Sequence, residues 1–215
     1  MRPFFGLMLL ACLSAGAFSL IESISTYNAI IICLLTVLYF SSRHDVDLGD
    51  LILFILVITI FERVLVGPIY YLMNNNIVSN FTVNTLFFSS HLATDLLLVF
   101  ICRNRWTLTL KKSQILSNED FKRSKGPSLA DAPTMGLFLL FVIFDLMLLG
   151  ENTLRNLEQF GVSEEFAKQF WGAQFFYNIH AETKSVLQAI LFMLLTACVV
   201  ISRSKTNSRK MFEKA

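Results

Sequence analysis

Five ionisable residues interrupt the long apolar runs of this 215-residue chain: Glu62 and Arg63 side by side, His91 and Asp95 four residues apart, and Asp145. A charge held in hydrocarbon costs at least about 2.5–3.5 kcal/mol. Such groups are therefore expected to face a protein interior and to find partners there. His91 and Asp95, at i and i+4, share one face of a helix. Glu62 and Arg63 point about 100° apart on a helix, so each needs a partner on another element. Arg63 with Asp95 or Asp145 is the expected pairing. With histidine neutral, Glu62, Arg63, Asp95 and Asp145 carry a formal charge of −2, which favours a proton or cation over an anion.

Two roles fit these residues. In one, Glu62, His91, Asp95 and Asp145 line a path for protons or cations and Arg63 is their internal counter-charge. In the other they form a polar clamp that fixes helix packing. A metal site would need His91 and Asp95 joined by Glu62 or Asp145. A hydrogen-bonded His–Asp pair explains the spacing more simply, so neither a metal nor any other cofactor is assigned.

The elements that must position these groups are apolar helices. Hydrophobic residues make up 54% of the chain and charged residues 16%, against about 25% charged in a soluble domain. Six apolar stretches run over about 3–21, 25–42, 48–73, 80–102, 134–150 and 185–202. Most approach the ~20 residues that cross ~30 Å of hydrocarbon. At 1.5 Å per residue, Glu62, Arg63, His91 and Asp145 fall about 16–20 Å from the inner boundary, and Asp95 about 10 Å. The fold class is all-α: a single membrane bundle over 1–215 with six transmembrane helices. Five remain if the first is a cleaved signal peptide, a reading prompted by Ala15-Gly16-Ala17 after the run Phe4 to Leu13. The apolar run continues through Ile21, which favours a retained span.

Fourteen of the eighteen Lys and Arg residues lie on one side of a six-span arrangement. They fall at the start, at Arg43, in a basic loop over 103–133 and in a basic tail over 203–215. Positive residues stay cytoplasmic, so both termini are expected there, with a bacterial inner membrane the favoured location. The four cysteines, Cys12, Cys33, Cys102 and Cys198, sit in or beside apolar runs without disulfide or metal-ligand spacing and read as packing residues.

An outer segment, 151–182, reads as helical and amphipathic. Gly161 is placed to cap one helix and Ser163-Glu164-Glu165 to start the next. Phe166, Phe170, Ala173 and Tyr177 then fall on one face. Phe170, Trp171, Phe175 and Tyr177 are the candidates for an outer interaction surface, against headgroups or another membrane protein. His180, Glu182 and Lys184 read as solvated polar flank at the mouth of the last span. The expected partners are the bilayer and another membrane protein or a second copy. A net charge of +2 gives no nucleic-acid footprint.

Zinc-protease, nucleophile-elbow and nucleotide-binding motifs are absent from the sequence. The spacings Glu151-x-x-x-Arg155, Phe176-x-x-x-His180 and His91-x-x-x-Asp95 resemble motifs of the Abi/CAAX membrane proteases. Their order differs from that family, its paired glutamate is single here, and two of them lie outside the expected spans. No catalytic activity is assigned on that basis. The leading expectation is a small transporter or channel subunit for a proton-coupled solute or a cation. The alternative is a non-catalytic accessory subunit of a membrane complex.

Overall fold

The computed structural model describes residues 24–43, 45–75, 77–116 and 128–212. The first expected span therefore lies outside the described residues. Among those described, every regular element is helical and there is no strand. The long helices are α1 (Ile24–Ser42), α2 (Val46–Asn74), α3 (Asn80–Leu116), α4 (Asp131–Leu154) and α7 (His180–Phe212). Between α4 and α7 come two short helices, α5 (Glu164–Ala167) and α6 (Phe175–Asn178), and two 3-10 turns, Leu157–Phe160 and Lys168–Phe170.

Four segments are long and apolar enough to cross a membrane: Val46–Met73, Asn80–Arg105, Asp131–Leu154 and a stretch within Glu164–Ser204 that is mostly α7. A shorter apolar stretch, Ala29–Ser42, belongs to α1. This is the architecture of a multi-pass membrane protein.

The start of α2 is set by Asp45, whose side chain accepts the Leu48 N–H at 3.2 Å, and by Asp47 in the first turn. Both place negative charge at the positive end of the helix. At its far end Asn75 donates from its backbone and side-chain nitrogens to the Tyr71 carbonyl. The helix runs unbroken through Pro68. Gly67 and Pro68 are exposed, so the backbone that the proline disturbs faces away from the bundle interior.

Helices α1 to α4 pack in chain order, and α7 closes the bundle against α4, α1 and α2. The core is a close-packed seam of Leu35, Leu48, Leu51, Ile52, Ile55 and Leu195, all essentially inaccessible. Lipid tails are as apolar as these side chains, so the seam is held by close packing rather than by escape from water. Isolated polar ties pin its two ends. At one end Arg105 joins Asp131 and Asp47, Ser202 donates to Asp45 at 2.6 Å, and Arg203 donates to the Ser41 carbonyl. At the other, Asn152 donates to Thr85 Oγ1 at 2.9 Å.

Two expectations need correction. Helix α3 continues to Leu116, so the first part of the basic 103–133 segment is helical, and Arg105 within it is fully buried. The amphipathic helix expected from Ser163 onward, with Phe166, Phe170, Ala173 and Tyr177 on one face, is instead two short helices and a 3-10 turn. Gly161 does turn there, with φ 81°, a left-handed conformation that glycine adopts without steric cost. Phe166 and Phe170 remain ring neighbours at 5.5 Å. The chain breaks after Phe170, before the apolar face can reach Tyr177.

Candidate functional site

Four helices bring ionisable side chains into one layer. From α2 come Glu62 and Arg63, from α3 His91 and Asp95, from α4 Asp145, and from α7 His180 and Lys184. Glu62 pairs with Nδ1 of His91. Lys184 Nζ stands 2.9 Å from Asp145 Oδ1 and 4.0 Å from Asp95 Oδ2. All five residues named from the sequence are thus in one region, but the pairing differs. The cation between the two aspartates is Lys184, not Arg63, and His91 takes Glu62 rather than Asp95.

Lys184 and His180 were missed as site residues. Both had been placed in the solvated flank, yet Lys184 is largely buried and His180 Nε2 is buried without a hydrogen-bond partner. A signal was present: Lys184, Gln188, Leu191 and Leu195 recur at i, i+4, i+7 and i+11, one stripe of α7. With Lys184 included, three carboxylates face two basic side chains, a formal charge of −1 with the histidines neutral.

A cavity of about 60 Å³ opens beside this layer. Its polar wall is Thr59, Glu62, Arg63, His91, Asp95, Lys184 and Gln188. Its apolar wall includes Leu35, Ile55, Leu98, Phe138, Phe141 and Phe192. Arg63 Nε is buried there without a hydrogen-bond partner. Among the described residues no three His, Cys, Asp or Glu side chains converge as metal ligands.

Aromatic rings cover the layer on the side away from Arg105. His180 stacks on Phe144, with ring centroids 6.2 Å apart and planes 2° apart, and lies 5.7 Å from Phe88 and 6.3 Å from His91. Phe176 meets Phe144 edge-on at 6.1 Å. Glu151, buried at the end of α4, holds this cover down: its Oε2 accepts the N–H groups of Phe176 at 2.6 Å and Tyr177 at 3.2 Å. So Glu151 and His180, which had been placed outside the spans, are interior groups, and the Glu151 carboxylate is occupied by backbone.

A carboxylate that accepts two N–H bonds cannot be replaced by alanine without leaving those donors unmet. Glu151→Ala is expected to cost about 1–3 kcal/mol, concentrated in the aromatic cover. Amide hydrogen exchange checks this: Phe176 and Tyr177 should lose protection while mid-α2 amides keep theirs.

The other outer candidates sit on the surface. Phe175 is 67% exposed, and Trp171 and Tyr177 are also exposed, whereas Phe170 is half-buried. Lys168 lies over Trp171 and Arg155 over Tyr177, at 5.7 and 5.6 Å from the ring centroids. No family model matches the chain, and neither a curated protein nor a solved structure is significantly similar to it.

Proposed function

We propose that this chain is a small six-span transporter, with both termini cytoplasmic, that moves a proton-coupled solute through the polar layer. The observation that carries the reading is the cavity at that layer, walled by Glu62, His91, Asp95 and Lys184. A pure packing clamp would bury its charges in a dry seam. A cavity of 60 Å³ instead has room for roughly four waters. Water beside carboxylates and imidazoles gives protons a route on and off them. The Lys184 ammonium stands where a metal cation would bridge Asp95 and Asp145, which favours a proton over such a cation.

Orientation follows from the basic end of the bundle. Arg43, Arg103, Arg105 and Arg203 gather there, which the charge rule assigns to the cytoplasm, as for a bacterial inner membrane. Single cysteines at Ser163 and Ser204 should then react with impermeant maleimide from opposite faces, Ser204→Cys only from inside. Labelling of both from one face would remove this topology.

Flux in proteoliposomes tests the function. Asp95→Asn keeps the 2.9 Å Lys184–Asp145 pair, so the fold should persist. Proton-coupled flux should fall by about two orders of magnitude, the scale of losing a positioned acid–base group. Unchanged flux in both Asp95→Asn and Glu62→Gln would sink the transporter reading. The accessory-subunit reading, supported by the exposed Trp171, Phe175 and Tyr177, would then stand in its place.

A further inference from the structure

We propose that the cavity binds a short aliphatic monocarboxylate, with its carboxylate on the Arg63 guanidinium and its chain against Phe138, Phe141 and Phe192. This deepens the transport reading and rests on it only for movement across the membrane, not for binding.

The argument starts from charge. Each carboxylate of the layer has a basic neighbour other than Arg63: Glu62 has His91, and Asp145 and Asp95 share Lys184. Arg63 lines the cavity with no ion-pair partner among the described residues, and its Nε is buried without a hydrogen-bond acceptor. An Nε–H buried without an acceptor is costly, and the planar fork of the half-buried Arg63 guanidinium matches a carboxylate with two parallel bonds. The sequence tally of −2 favoured a proton or cation over an anion, with Arg63 as the internal counter-charge. Lys184 stands between the two aspartates instead, which leaves Arg63 outside those pairs and placed for an anion.

Size and shape narrow the class. A cavity of 60 Å³ has room for roughly four to six heavy atoms, the span from acetate to butyrate. Thr59 and Gln188 flank the polar wall, and the opposite wall is aromatic and aliphatic. A dicarboxylate would press its second charge onto that apolar wall or against Asp95. A long-chain acid would not fit. The layer already carries a formal −1, so an added carboxylate favours uptake of a proton, which makes the pair a symport.

The test is binding of sodium propionate to the purified full chain in detergent, followed by saturation-transfer NMR, beside propionamide, succinate and octanoate. Propionate should bind, and propionamide should bind about tenfold or more weaker, as should propionate to Arg63→Gln. Phe141→Trp, which fills the cavity and leaves Arg63 in place, should also lose propionate, so the result does not depend on one variant folding. No binding to the native chain, equal binding of propionamide, or full binding in both variants overturns the proposal. If propionate fails to bind while Asp95→Asn still abolishes proton flux, the ligand is wrong and the transport reading survives. Binding without flux has the opposite meaning.

Discussion

Replacing Lys184 by methionine is expected to destabilise the bundle by about 3–5 kcal/mol, the cost of removing one partner from a buried ion pair. Asp145 has no accessible surface, and its Oδ1 meets Lys184 Nζ at 2.9 Å. Asp95 approaches the same ammonium at 4.0 Å. With methionine the stem volume remains but two carboxylates face one another without the cation between them. The second half of the experiment separates charge from packing. Adding Asp145→Leu to Lys184→Met removes the stranded charge and should recover most of the loss, because an apolar pair of similar volume is often as stable as a buried salt bridge. Thermal unfolding of the single and double variants in one detergent measures both. A loss that is the same in single and double variants would show that Lys184 acts through packing alone.

Arg105→Lys is the second large effect, expected at about 2–4 kcal/mol although the charge is kept. Arg105 is 0% exposed. Its Nε and Nη2 donate to the two oxygens of Asp131 at 2.7 and 2.8 Å, and its Nη1 donates to the Asp47 carbonyl at 3.1 Å. One side chain of α3 therefore ties the first turns of α2 and α4. Lysine offers a point charge with no fork, so it can satisfy one aspartate oxygen but not all three acceptors. Denaturant unfolding reads the loss. Because Arg105 lies ten residues of α3, about 15 Å, from Asp95, propionate affinity per folded molecule should not change. A variant as stable as the parent would mean that the clamp is replaceable by water at that end.

The two clamps also show where reading the chain stops. The sequence by itself determined that this is a helical, multi-pass membrane protein, because hydrocarbon admits few charges and a span needs about 20 apolar residues. It also singled out Glu62, Arg63, His91, Asp95 and Asp145, since a charge inside an apolar run is expensive wherever it lies. Rise per residue was enough to set most of them at a common depth. The turn at Gly161 was equally local, and the structure keeps it.

Partner choice was decided only by the tertiary structure. Arg105 is 26 residues from Asp131 and 58 from Asp47, and no local rule selects that pair from the other basic residues counted as cytoplasmic. Lys184 was assigned to the membrane edge because its depth was counted from the last apolar run. In the folded chain the aromatic cover over 175–179 and Glu151 enclose that edge, so a flank becomes an interior. The outer helix failed for a related reason. Its i, i+4 pattern is real between Phe166 and Phe170, but periodicity alone does not fix where the backbone turns. The physical distinction is between one-body and two-body energies. Burial cost and helical rise belong to a residue and can be read along the chain, whereas a salt bridge or a lid exists only once another element has been placed beside it.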